Sequence, residues 1–143
     1  MITFNLVTLD GVKFGEEVYE ILLPTMDGII GVMPGHMPLV SVATNGVISV
    51  RYKATDRDDQ MEHFAISGGV VEVSDDVLSV LVDEADNAED ISEDEAKKAM
   101  EAARKLKAEA KDQVSLDKAQ DLIDRQAVRL QVAGLKRRRG TRV

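Results

Sequence analysis

The sequence predicts a β-rich body, an antiparallel sandwich or barrel, followed by a helical appendage. Three observations lead there. Up to about residue 86, short segments alternate apolar and polar residues with period two, about ten residues apart, and turn-forming pairs separate them. After Asp90 the apolar period becomes 3.6, that of a helix. The charge changes at the same place. Residues 1–90 carry 4 Lys/Arg against 17 Asp/Glu, a balance of −13, and residues 91–143 carry 14 against 9, a balance of +5. The aromatic residues Phe4, Phe14, Tyr19, Tyr52 and Phe64 all precede the break, which falls over residues 85–90 without a Gly/Ser linker.

In chain order, Ile2, Phe4 and Leu6 alternate as a half-buried strand that Asp10-Gly11 turns. Residues 17–24 alternate again. Residues 26–50 then pack three changes of direction around two apolar runs: Asp27-Gly28 and Asn45-Gly46 tolerate positive φ, and Pro34-Gly35 punctuates the space between them. Pro38 cannot donate to a ladder, so residues 37–44 enter as a strand from a sheet margin, with His36 in the turn before it. A short loop with two prolines, a glycine and an apolar tip is costly to expose unless another surface covers it, which makes it a candidate contact site. Asn45-Gly46 predicts a hairpin into residues 47–53, and residues 54–60 form a polar tip that projects into solvent. Residues 61–67 return as a strand, Gly68-Gly69 permits a bend or bulge, and residues 70–73 and 77–82 pair across a Ser74-Asp75-Asp76 turn.

Ser92 and Glu95 match a capping box and start a helix with Ala96, Ala99, Met100, Ala103, Leu106 and Ala110 on one face. A second stripe, Leu116, Ala119, Leu122, Ile123, Ala127, Leu130 and Ala133, runs to Gly134 as its stop, and the basic run at residues 136–139 suits a helix C-terminus. Residues 111–115 between the stripes hold neither glycine nor proline, so two helices in a hairpin and one continuous helix are both permitted. A stripe built largely of alanine buries about one methyl per residue, ~0.8 kcal/mol each, and isolated helices of about 20 residues are marginal in water. Docked and undocked forms of such a tail should lie within a few kcal/mol of each other.

At 143 residues the chain has room for one modest core with an appendage, and not for a multidomain enzyme. It has no cysteine, hence no disulfide framework and no thiolate metal site. The first residues lack a basic head and a long apolar segment, so neither a secretory signal nor a membrane span is expected. His36 and His63 are the only histidines and have no partner at helical spacing, which argues against zinc. There is no phosphate-binding GxxxxGK[ST]. Ser67 precedes two glycines, but Ala65 stands where a nucleophile elbow needs glycine. The GxxG of Gly28 to Gly31 encloses two isoleucines and reads as a turn, not a nucleic-acid clamp. Nucleic acid is further disfavoured by the −13 body and by the absence of aromatic residues beside the basic run. The C-terminal cations Arg125, Arg129, Lys136, Arg137, Arg138, Arg139 and Arg142 are left to helix-dipole complement, solubility, or attraction to an acidic protein surface.

The succession DGIIGVMPGHMPLV, NGVISV and SGGVVEVSDDVLSVLVDEA resembles the epsilon subunit of the rotary proton-translocating ATP synthase, over residues 1 to about 86 in order and with a charged Ala-rich tail after it. The resemblance implies a sandwich of about ten antiparallel strands over residues 1–86 and a C-terminal two-helix hairpin over residues 87–143. It implies a non-catalytic subunit without a cofactor, peripheral to the cytoplasmic face of the inner membrane. Its body would join the gamma subunit to the membrane rotor ring of c subunits, and its helices would restrain ATP hydrolysis by the alpha and beta subunits. By position, Ile29, Met33, His36, Met37 and Pro38 match the contact region for gamma and the ring; many relatives carry an acidic residue where Ile29 stands. Arg125, Arg129 and Lys136 match the inhibitory contact. Some relatives bind ATP through [IL]DxxRA; here Ile91, Ser92, Glu95 and Ala96 occupy those places without its aspartate or arginine, and a glutamate in place of arginine repels phosphate. Two other classes compete: a small enzyme, which lacks any convergent motif, and an unrelated adaptor, which would copurify with something other than ATP synthase subunits.

Overall fold

The structure, a computed structural model, describes residues 1–140, with side chains through residue 135. Ten strands come first: β1 (Ile2–Thr8), β2 (Gly11–Val18), β3 (Glu20–Thr25), β4 (Gly28–Val32), β5 (Leu39–Ala43), β6 (Gly46–Arg51), β7 (Glu62–Ile66), β8 (Gly69–Ser74), β9 (Val77–Val82) and β10 (Ala85–Asn87). Two helices follow, α1 (Glu93–Glu109) and α2 (Gln113–Gly140). The strands run β10-β7-β6-β3-β5-β8-β9-β1-β2, and β4 pairs with β3. All pairings are antiparallel except that of β1 with β9. The sheet closes over one core. Phe14 lies 5.3 Å from Phe4 and 5.5 Å from Phe64, centroid to centroid, and Ile2, Leu6, Ile21, Leu23, Ile48 and Leu78 are fully buried around them.

The turns show which glycines are needed and why. Thr8-Leu9-Asp10-Gly11 and Thr25-Met26-Asp27-Gly28 are the same device: the threonine hydroxyl donates to the glycine carbonyl and accepts from the aspartate amide, and the glycine takes φ +122° or +109°. Asn45-Gly46 is not the hairpin turn that its residues suggest. Flanking β5 and β6 do not pair with each other, β6 joining β3 and β7 instead, so the chain turns a corner there. Gly46 is present because a Cβ would meet Pro24 at 2.8 Å, and Asn45 accepts the Gly68 amide at 2.9 Å. Residues 17–24 are not one strand either. β2 ends at Val18 and β3 starts at Glu20. β2 is an edge strand that buries only Phe14 and Val18, four apart, and its register with β1 shifts just before Phe14, at Leu6/Val7, so period two is absent from it. The polar tip is also held back more than expected: Arg51 bonds Glu20 at 3.0 Å, Asp58 at 2.6 Å and the Asp56 carbonyl at 2.5 Å. The carboxylates of Asp58 and then Glu20 raise the Arg51 pKa further.

Gly69 is the tightest point, since a Cβ there would fall 1.9 Å from the Leu81 carbonyl oxygen. Gly69→Ala must therefore push β8 off β9, and a loss of about 2–3 kcal/mol is expected in denaturant unfolding. A loss below the measurement error would contradict this packing.

The appendage is a helical hairpin, which resolves the two forms the sequence permits. Ser92 accepts the Glu95 amide at 3.3 Å and starts α1, as expected. Ala110 ends it in extended backbone, and Asp112 caps α2, its carboxylate accepting the Ser115 amide at 2.7 Å. That bond, followed by one with the Ser115 side chain, lowers the Asp112 pKa. A depressed folded pKa adds stability that is present above the unfolded value and is lost as pH falls through the folded one, so the start of α2 should loosen below the ordinary carboxylate range. Gly134 is not a stop. It lies inside α2 without positive φ, and the basic residues after it are good helix formers that outweigh a single glycine cost of about 1 kcal/mol. The buried stripes also differ. In α1 Ala96 and Ala103 are buried while Ala99 and Leu106 face out; in α2 Ala119, Val132 and Ala133 are buried while Leu122 and Ala127 are exposed. α2 packs on α1 and on the body at once, which rotates its apolar face toward Val128 and Val132.

Candidate functional site

Two surfaces meet the requirements of a contact site. The first is the bend between β4 and β5. Met33 is 44%, Met37 74% and, on edge strand β4, Ile29 77% exposed. The His36 amide donates to the Met33 carbonyl at 3.1 Å, and its Nδ1 lies 2.7 Å from the Met37 carbonyl. A carbonyl only accepts, so Nδ1 carries the proton. Pro38 precedes β5 directly, as its missing amide requires. The bend is thus brought out to solvent with its apolar side chains uncovered.

The outer face of the adjoining strands extends this surface. Val42 of β5 lies opposite Val70 of β8, which lies opposite Leu81 of β9; they are exposed, as is Val40 nearer the bend. Sequence reasoning missed this row. Its signal was present, because VVEV and VLSVLV carry apolar residues on both faces of antiparallel strands, where a solvated face would be polar. Such a contiguous exposed apolar row is a candidate contact surface.

The second surface lies between the helical hairpin and the body. Val132 and Ala133 pack into a small cluster with Ala65, Ala88 and Ile91, flanked by half-buried Val47 and Val128. Beside it Arg125 pairs with Glu84 at 3.4 Å and with Asp121 at 2.9 Å, Arg129 pairs with Asp86, and Asn45 donates to Asp121 at 3.3 Å. Ser67, buried and unsuited to catalysis, fixes this edge by accepting the Glu84 amide at 2.8 Å. Burying Val132 and Ala133 contributes on the order of 2–4 kcal/mol. Each partly exposed ion pair adds about 0–1 kcal/mol. The hairpin is held by a small sum. Arg125 and Arg129 are brought together on α2; the side chain of Lys136, like those of Arg137, Arg138, Arg139 and Arg142, lies outside the described residues.

The remaining candidates carry structure. His63 Nδ1 lies 2.8 Å from the hydroxyl of Ser49, its cross-strand neighbour. No group of three potential metal ligands occurs among the described residues. Of the positions matching the nucleotide motif, Ile91 and Ala96 are buried and the Ser92 hydroxyl is occupied as the α1 cap, leaving Glu95 outward. Calorimetric titration with ATP is expected to show no micromolar binding, and a micromolar constant would overturn that reading of the site.

Comparisons with known proteins agree on one family. A model described as the beta-sandwich domain of the ATP synthase Delta/Epsilon chain matches residues 1–88. An ATP synthase epsilon chain of Nitratidesulfovibrio vulgaris (strain DP4) is 36% identical over 130 residues, covering 91% of this chain and 93% of that one. One from Latilactobacillus sakei subsp. sakei (strain 23K) is 33% identical over 135 residues, covering 92% of each. Among solved structures, a chain of the Euglena gracilis mitochondrial ATP synthase (OSCP, F1 and c-ring) is similar with a TM-score of 0.75 and 26% identity, over 94% of this chain and 81% of that one. A chain of the Tetrahymena thermophila mitochondrial ATP synthase shares the fold, with a TM-score of 0.58 and 12% identity over 90% and 93%.

Proposed function

The chain belongs to the ATP synthase Delta/Epsilon chain family, as a non-catalytic epsilon subunit of the central stalk, and from that premise we propose that its body couples the gamma subunit to the rotor ring while its hairpin restrains ATP hydrolysis. The bend with Ile29, Met33, His36, Met37 and Pro38 is the contact for gamma and the ring, and the row Val40, Val42, Val70 and Leu81 continues it. The related Euglena chain comes from an assembly that contains F1 and the c-ring, which supports this side of the reading. No described helix is long and apolar enough to cross a membrane; the chain reaches the cytoplasmic face of the inner membrane through the complex.

The observation that carries the regulatory half is the double use of two cations. Arg125 and Arg129, which would meet an acidic segment of the alpha and beta subunits, are engaged here by Glu84 and Asp86 of the body itself. Docking and inhibition draw on the same charges and exclude each other, so a partner with unequal affinity for the two forms shifts their populations.

Opposite variants separate the two. Glu84→Gln with Asp86→Asn weakens docking alone and should deepen inhibition of the assembled complex, whereas Arg125→Gln with Arg129→Gln removes the inhibitory contact too and should relieve it. Each change is expected to be about twofold to fivefold in hydrolysis rate, the scale of such ion pairs. If both pairs moved the rate in the same direction, the shared-cation mechanism would be wrong.

A further inference from the structure

The β8–β9 hairpin turns through Asp75 and Asp76 at φ 50° and 58°, where glycine or asparagine is the usual choice. Both flanking residues, Ser74 and Val77, pair directly, so this is a two-residue turn with both central residues left-handed. Nothing in the turn itself asks for a second aspartate. Asp76, however, reaches outside it: its Oδ1 accepts the Gly35 amide at 2.7 Å, across 41 residues of sequence. Its carbonyl also accepts the Thr3 amide at 3.0 Å, fixing Asp76 to the start of β1.

Among the described residues, the other hydrogen bonds within residues 33–38 are local, His36 to Met33 and His36 to Met37. Gly35 itself stands at φ +83° with open space where a Cβ would lie, so no packing around that position holds it. We propose that Asp76 is the positioning residue of the β4–β5 bend, its carboxylate stapling Gly35 to the rigid β8–β9–β1 corner so that His36 and Met37 are presented in one conformation. The inference deepens the reading of this bend as the contact for gamma and the rotor ring and rests on it. A bend already ordered before contact loses less conformational freedom on binding, and affinity rises accordingly.

The test compares the full-length protein as wild type, Asp76→Gly, Asp76→Asn and Met37→Asp. Glycine adopts left-handed backbone freely, so Asp76→Gly keeps the turn and removes the carboxylate, and its thermal midpoint stays at or above that of the wild type. Its Gly35 amide exchanges with solvent about tenfold faster or more. Its affinity for a purified gamma–ring subcomplex falls about threefold to tenfold. Asp76→Asn keeps an acceptor oxygen and recovers most of both. Unchanged Gly35 exchange in Asp76→Gly overturns the proposal; so does unchanged affinity in Asp76→Gly where Met37→Asp binds poorly. Wild-type affinity in Met37→Asp, with Gly35 exchange still raised by Asp76→Gly, supports the staple and instead removes the bend from the contact.

Discussion

Deleting the residues after Ala88 raises ATP hydrolysis by the assembled complex, by up to about tenfold, and leaves assembly intact. The expectation follows from where the contacts lie. The body closes its own core without the hairpin: Phe4, Phe14 and Phe64 and their neighbours draw nothing from α1 or α2. The deletion uncovers only the small cluster of Ala65 and Ala88, with Val47 beside it. A complex restrained about nine-tenths of the time gains about tenfold when restraint is removed, which corresponds to a balance of ~1.3 kcal/mol between the two forms. With docking worth only about 2–4 kcal/mol plus about 0–1 per ion pair, an inhibitory contact that is slightly stronger is enough to set such a balance. Unchanged hydrolysis in a correctly assembled complex would count against an inhibitory tail.

Val42→Asp combined with Leu81→Asp lowers affinity for the gamma subunit roughly hundredfold or more, about 2.7 kcal/mol. Both side chains are about half exposed in the free chain, so unfolding should change little. They are separated by Val70 and do not face each other directly, which avoids placing like charges opposite. In a complex, each carboxylate would be buried without a partner, a cost of several kcal/mol in an apolar interface. Val114→Asp, an exposed apolar site on α2, serves as the control and should bind as the wild type does. Equal affinity for all three proteins would show that the outer row is not an interface.

Much of this was legible in the sequence, and the failures have local causes. Alternation found β1, β8 and β9 because each buries every second residue, and Ser92 with Glu95 marked the start of α1 because the hydroxyl accepts the amide three residues on. β2 was hidden because an edge strand with two core contacts has no period to read. Asn45-Gly46 misled because a glycine demanded by close approach to Pro24 looks the same as one demanded by positive φ. The Ala-rich stripes were displaced because α2 serves two neighbours, which no single helical face encodes. At the proposed contact site, residues 29–38 were visible through their turn residues, whereas the row of Val42, Val70 and Leu81 needed the strand register to assemble it. The pairing of Arg125 and Arg129 with Glu84 and Asp86 joins positions about 40 apart, and no local pattern announces it.

The measurement that bears most directly on a reversibly docked hairpin is amide hydrogen exchange of the free chain, read residue by residue. The account predicts that amides of residues 93–135 exchange through an opening only a few kcal/mol above the docked state, well before those of β1, β8 and β9, which wait for global unfolding. Protection in the helices as deep as in those strands would contradict it.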